Sequence, residues 1–435
     1  MNAHVELKEK YKIIDYTKQY KSIMQFNKNK NVSIHQWYPF VEGYSKEFIQ
    51  SILDELDYTP TSAIDPFSGS GTTAVELQEK GIKCTSFEVS PFMYLLSSVK
   101  INQNYDITQF CSYVSKIKNN LKISPRNIRE IEKIPFGRTV VKTEKLKKWN
   151  FHDDVLDGLL DIKHSIKKIK DEEYRNLFKI ALASITLDVS NLFRNGKCLS
   201  YKKKWVEKNN YKREDIHKIF IHRIESIFLE DIKKISDSKK ENSETKCIYG
   251  DVRESIDMLE NNSVDLIITS PPYLNSRDYT DIYMLELKII DLIQNYDDLL
   301  SLRKRTLRSH VQVNYSDLPL LDVFSLKQCI AEIEEKKDEF WNADLLNMIK
   351  GYFLDIDFLF SKFKEKMIKD KFIYFNVANS AYFGVEIPVD IIISEIAEKN
   401  NLEVIEIRKA RDLKTSAQQA KQIKSLRESV IVIKS

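Results

Sequence analysis

Two strings in this chain hold residues suited to chemistry. One is DPFSGSGTT, Asp65 to Thr73; the other is TSPPY, Thr269 to Tyr273. In the first, Gly69 and Gly71 permit backbone angles closed to other residues and let a ligand approach the main chain. A helix after such a turn points its free N–H groups at whatever sits there. The spacing is G-x-G with no third glycine, and no G-K-[ST] follows, so neither the dinucleotide nor the phosphate-loop fingerprint is met. The second string ends an apolar run, VDLIIT, and sets oxygen acceptors beside an aromatic face. Those acceptors are Ser270 Oγ and the Pro271 carbonyl; the face is Tyr273. Pro271 and Pro272 fix φ and remove N–H donors, so this strand end is stiff and presents oxygens. Acids close two further strand-like runs: Glu88 after CTSF and Asp251 after KCIYG. A carboxylate placed like Glu88 can accept both hydroxyls of a ribose.

The elements that must hold these residues have an α/β rhythm. SAIDPF reads as a strand, the glycine turn leads into a helix that Gly81 stops, CTSFEVS is a strand, and Pro91 opens the next helix. Such a unit crosses over right-handed. Upstream, the aromatic segment WYPFVEGYSKEF (37–48) runs into an amphipathic helix from about Ser45, a good N-cap. Over 101–240 strand signals vanish and helical patterns dominate. The strand rhythm resumes at 246, and 280–350 reads as a second, mostly helical insertion. A long helix then leads into KFIYFNVA, a helix, LEVIEIRKA and finally ESVIVIKS. The last two strands lack a crossover helix of strong pattern, so an antiparallel hairpin at one edge of the sheet is expected.

The two strings, in this order and context, resemble the motifs of S-adenosylmethionine-dependent amino methyltransferases acting on exocyclic nitrogens of DNA bases. By pattern the resemblance covers 37–100 and 246–435, and specifically the site-specific enzymes of restriction-modification type. It implies an α/β fold: a Rossmann-like seven-stranded sheet, mostly parallel with an antiparallel last strand, plus large helical insertions. It implies S-adenosylmethionine held by Asp65, Phe67, Ser68, Gly69, Gly71, Thr72, Glu88 and Asp251. Asp65 would face the methionine amino group, Phe67 and Gly69 would line the methionine path, Glu88 would take the ribose, and Asp251 would lie near the adenine amino group. The 37–48 segment would close over the methionine end. Ser270, Pro271, Pro272 and Tyr273 would be the catalytic set. A serine at the first place goes mostly with cytosine N4, and Asp or Asn with adenine N6. An N6-adenine enzyme, an RNA amino methyltransferase, and a subunit that binds cofactor and DNA without activity remain as alternatives. Asn275, Arg277 and Asp278 would touch the target base or nearby phosphates, or else hold their own loop.

The implied organisation is a lid and cofactor half (1–100), a helical insertion for target recognition (101–240), a catalytic segment (241–279), the second insertion (280–350) and the end of the sheet (351–435). Charge fits either a nucleic-acid partner or a solvated, Lys-rich helical face. Residues 101–240 carry 31 Lys and Arg against 19 Asp and Glu, whereas the remainder carries 37 against 45. Basic surface of this kind supplies non-specific affinity for double-stranded DNA by releasing counterions. The expected contacts are Lys202, Lys203 and Lys204 beside Trp205, with Arg194–Lys197 and Lys145–Lys148 as further candidates, and Arg303, Arg305 and Arg308 in the second insertion. The five cysteines are scattered with no C-x-x-C spacing, and the histidines form no constellation, so no metal site is expected. No apolar run is long enough to span a membrane and the first residues lack a signal-peptide core, which points to the cytoplasm. A companion restriction endonuclease follows from family analogy alone.

Overall fold

The computed structural model describes residues 10–196, 198–208, 210–238, 244–274, 278–315, 317–415 and 423–435. Its centre is an eight-stranded sheet built from β1 (Ile13–Asp15), β2 (Ser62–Asp65), β3 (Lys83–Glu88), β4 (Lys246–Tyr249), β5 (Val264–Thr269), β6 (Met367–Ala378), β7 (Glu403–Lys414) and β8 (Ser425–Lys434). The order across the sheet is β1-β7-β8-β6-β5-β2-β3-β4. All neighbours pair parallel except β8, which runs antiparallel to both β6 and β7. The expected doubly wound sheet with an antiparallel last strand is present. The number of strands is corrected from seven to eight, and the terminal hairpin does not form the edge. β1 pairs beyond β7 and closes that side. Three residues are too few to show a periodicity, which is why β1 had no signal.

Both sheet faces are covered, as parallel strands require. Side chains alternate along each strand. Leu266 and Ile268 on β5 join one apolar cluster, and Ile267 joins the other. The first cluster also takes up the helices of the 101–240 segment. These include Ile107–Lys122, Asp153–Lys167 and Glu172–Val189, with Phe110, Leu159 and Phe178 among their buried residues. The second cluster is roofed by the long helix Leu345–Lys366 and by Val389–Lys399. Helix starts follow their caps. Asp106 accepts from Gln109 N at 2.7 Å, and Asp171 accepts from Glu173 N at 3.0 Å. Ser45 occupies the N-cap position before Lys46–Glu55, but its hydroxyl donates instead to Ile23 O at 3.1 Å.

Within 101–240 the structure adds a hairpin that the helical pattern concealed. Leu192–Asn195 and Cys198–Tyr201 pair antiparallel around Gly196, whose φ is +59°. These strands have four residues each and lack strict alternation, so they carried no strand signal. Among the described residues no helix is long and apolar enough to cross a membrane, and no His/Cys/Asp/Glu group could hold a metal ion.

Candidate functional site

Four of the expected acids and hydroxyls stand at one edge of the sheet. Asp65 ends β2 and Glu88 ends β3, while Ser270 and Asp251 follow β5 and β4 closely. These four strands are adjacent and parallel, in the order β5-β2-β3-β4, so their carboxyl ends share an edge. The chain proceeds from β2 outward to β3 and β4, then returns on the other side of β2 with β5. That reversal makes the carboxyl ends of β2 and β5 a topological switch point, the place where ligands settle in open α/β sheets.

On the β2 side the turn is shaped by packing as well as by backbone. Gly69 and Gly71 have φ of +50° and +80°. A Cβ on Gly71 would lie 2.7 Å from Ser97 Oγ, and one on Gly69 would lie 3.2 Å from the Phe40 ring. Helix Pro91–Ile101 therefore needs a bare backbone at Gly71, and Phe40, from the expected lid segment, lies over Gly69. Ser68 Oγ bonds Ser97 Oγ at 2.9 Å, and Thr72 is buried, its hydroxyl 3.4 Å from Ser70 Oγ. Phe67 packs half-buried on the second apolar cluster.

Of the two acids of this half, Asp65 is buried and Glu88 half-buried. Asp65 accepts from Phe67 N at 3.1 Å and from Thr269 Oγ1 at 2.7 Å, and burial pushes its carboxyl up to about 6. Glu88 accepts from Gly69 N and Ser90 N, each at 2.8 Å. Burial outweighs those bonds and raises it to about 7. Each of its oxygens keeps a second lone pair for a ligand. Lys100 had no signal in the sequence. It is fully buried, donates to Ser70 O at 3.1 Å behind the turn, and is lowered to about 7 by burial.

At the β5 end, every strand residue is buried. Pro271 is buried, and Pro272 and Tyr273 are half-buried. The Tyr273 hydroxyl donates to Glu428 Oε1 at 2.5 Å and receives Asn376 Nδ2 at 2.8 Å. Ser270 Oγ donates to the same hydroxyl at 3.4 Å and receives Asn376 Nδ2 at 3.3 Å. Arg411 Nε donates to Glu428 Oε2 from the far side. Burial first, then the charge of Glu428, holds the Tyr273 phenol well above its ordinary range, so it stays protonated. Asn376 and Glu428 are site residues that sequence reasoning missed. Their signal was a polar residue within an apolar run for Asn376, in IYFNVA, and one just ahead of an apolar run for Glu428, in RESVIVI.

Several expected ligand residues are engaged within the protein instead. Asp251 caps a short helix through Arg253 N at 2.9 Å, and both its oxygens receive the Arg253 guanidinium. Arg253 also pairs with Asp355 at 2.7 Å, as does Arg308. Arg303 is buried against Asp278 and Asp281. Arg303 and Arg308 are therefore ion-paired within the protein. Arg305 lies over the Tyr249 ring, 5.5 Å from its centroid. Lys202 donates to Asp188 O and Ser190 O at 2.8 and 2.7 Å, tying down a helix C-terminus, whereas Lys203 and Lys204 are exposed. Arg194 is also internal, bonded to Glu286 at 2.9 Å. Asn275, Arg277 and Lys197 lie outside the described residues.

Lys203 and Lys204 adjoin an aromatic cluster. Trp205 packs edge-on to Trp149 with centroids 4.6 Å apart and meets Tyr201 at 5.3 Å. Lys142 sits over Trp149 and Lys148 over Tyr201, and Lys145 and Lys147 belong to the same segment.

The fold thus sets a glycine turn and strand-end acids beside a stiff, acceptor-bearing strand end. No family model matches the chain. The Type II methyltransferase M.BsoBI of Geobacillus stearothermophilus is 26% identical, over 95% of this chain and 88% of its own length. M.AvaI of Nostoc sp. is 26% identical over 89% and 83%, and M.MvaI of Kocuria varians 22% over 90% and 86%. Along nine-tenths of its length the chain is similar to Type II methyltransferases, in agreement with the resemblance of its two motifs. Among solved structures, the rRNA methyltransferase aviRa from Streptomyces viridochromogenes aligns with 92% of this chain and 84% of its own, at 9% identity and a TM-score of 0.28, too low to bear on fold or function.

Proposed function

We propose that this chain is a site-specific DNA methyltransferase that moves a methyl group from S-adenosylmethionine to the exocyclic N4 of cytosine in duplex DNA. The observation that carries the reading is the meeting of Ser270–Tyr273 with Asp65 through Thr269, at the same end of the sheet as Glu88. The kinship with Type II methyltransferases supports it.

The residues present suit the cofactor. Glu88 offers paired acceptors to ribose hydroxyls, Asp65 offers a carboxylate to an amino group, and Gly69 leaves bare backbone beneath Phe40. S-adenosylmethionine, when bound, supplies an electrophilic methyl group on a sulfonium. An exocyclic amino group is a poor nucleophile, because its lone pair is delocalised into the ring. Ser270 Oγ and the Pro271 carbonyl accept the two amino hydrogens and favour a pyramidal nitrogen with a localised lone pair. Tyr273 gives its face to the base, which must leave the duplex to reach it. The gain is positional and electrostatic, with no covalent enzyme intermediate.

Serine at position 270 favours cytosine N4 over adenine N6. Lys142, Lys145, Lys147, Lys148, Lys203 and Lys204, around Trp149, Tyr201 and Trp205, form the face offered to the duplex, with Glu144 and Glu207 as the acids in the same stretches. A cytoplasmic restriction-modification role with a companion endonuclease completes the reading. Transfer of tritium from methyl-labelled S-adenosylmethionine to duplex DNA tests it. Label is expected in DNA with the wild type and not with Ser270→Ala; no label in any DNA with the wild type overturns it.

A further inference from the structure

We infer that Glu428 is a positioning residue that fixes the direction of the hydrogen bonds at Ser270, so that the serine meets its substrate only as an acceptor. The inference rests on the methyl-transfer reading above and deepens it to substrate selection.

The chain of donors runs one way. Arg411 holds Glu428 on β8, and Glu428 is 2% exposed. A buried carboxylate facing a hydroxyl can only accept from it when ionised. The Tyr273 hydrogen therefore goes to Glu428, at 2.5 Å. With its one hydrogen committed, the Tyr273 oxygen must accept, and it does so twice, from Asn376 Nδ2 at 2.8 Å and Ser270 Oγ at 3.4 Å. Asn376, 3% exposed on β6, also donates to Ser270 Oγ at 3.3 Å. Ser270 thus has its hydrogen turned toward Tyr273 and one lone pair taken by Asn376. What it retains for a ligand is a second lone pair.

An amino group is a donor and meets that lone pair well. A keto oxygen at the same place faces it lone pair to lone pair. The site is therefore polarised for amino-bearing bases and against their keto counterparts, which for cytosine means uracil. Buried polar groups left unpaired by the wrong partner are what give such sites their discrimination. The same network pins the Tyr273 ring by its hydroxyl.

Glu428→Gln keeps size and shape but adds a donor. The new amide can donate to the Tyr273 oxygen, which lets Tyr273 turn its hydrogen toward Ser270 and the network reverse. The experiment measures kcat, KM for duplex DNA, cofactor affinity, thermal midpoint, and binding of duplexes carrying cytosine or uracil at the target position. For Glu428→Gln we expect kcat to fall by about tenfold or more, the effect of one misdirected hydrogen bond. KM for DNA and cofactor affinity should stay within about twofold, and the preference for cytosine over uracil should shrink. Tyr273→Phe removes the link itself, so Tyr273→Phe with Glu428→Gln should be no slower than Tyr273→Phe alone. Two results overturn the inference: kcat and base preference unchanged in Glu428→Gln, or losses that multiply in the double variant, which is what independent structural roles produce. Absence of transfer by the wild type would instead refute the methyl-transfer reading.

Discussion

The Thr269 hydroxyl donates to Asp65 Oδ1 at 2.7 Å, so the residue before Ser270 is bonded to the acid that heads the glycine turn. The two lie on neighbouring parallel strands, and their bond joins the two halves of the proposed reaction at the sheet edge.

Thr269→Val removes a hydroxyl bonded to a carboxylate that is 2% exposed. Leaving a buried acceptor short of a donor costs about 1–3 kcal/mol. Denaturant unfolding should show a loss of that size, and calorimetry should show weaker S-adenosylmethionine binding. Wild-type stability would mean that the bond does not couple the halves.

Cofactor affinity should depend on pH through Glu88. Its carboxyl lies at about 7 in the folded chain, raised by burial from 4.5. Ribose hydroxyls donate, so they need the ionised form. Binding should be strongest above pH 7 and weaken as pH falls through 7, roughly tenfold by pH 6 if only the ionised form binds. Stability has its own sign. The folded chain holds a proton that the unfolded chain has lost between 4.5 and 7, so this group's contribution to stability declines as pH rises across that window. Calorimetric titration of wild type and Glu88→Gln checks the first point; the variant should bind weakly and lose most of the pH dependence.

Tyr273→Ala should abolish most turnover and leave cofactor affinity within a few-fold, since its ring serves the base. A stacked base is worth about 1–3 kcal/mol. Single-turnover kinetics beside calorimetry separates the two effects, and an equal loss of cofactor binding would move Tyr273 out of the base pocket.

The lysines should divide into two groups. Changing Lys145, Lys147, Lys148, Lys203 and Lys204 to Gln should weaken binding to every duplex. It should also flatten the salt dependence, by about 0.9 in log–log slope for each phosphate no longer neutralised. Lys202→Gln should leave the slope alone, because its ammonium already holds Asp188 O and Ser190 O. Fluorescence anisotropy across a salt series distinguishes them. Equal slopes for all variants would place the duplex elsewhere.

How much was legible in the sequence followed from locality. Asp65, the glycines, Glu88 and Ser270–Tyr273 sit in short strings whose chemistry depends on near neighbours, and the parallel order of β2, β3, β4 and β5 needed only alternating strands and helices. Glu428 and Asn376 reach Tyr273 across 155 and 103 residues of chain, so a strand order had to be known first. The ion pairs of Arg303 and Arg308 are invisible in the sequence, which shows a cation and not its carboxylate partner: Asp278 is 25 residues from the first and Asp355 47 from the second.

Chemical identification of the methylated nucleoside tests the central claim most directly. DNA treated with the purified chain and S-adenosylmethionine is digested to nucleosides and resolved by mass spectrometry and chromatography against standards. The account predicts N4-methyldeoxycytidine with the wild type and none with Ser270→Ala. N6-methyldeoxyadenosine or C5-methyldeoxycytidine in its place, or no methylated nucleoside at all, would contradict it.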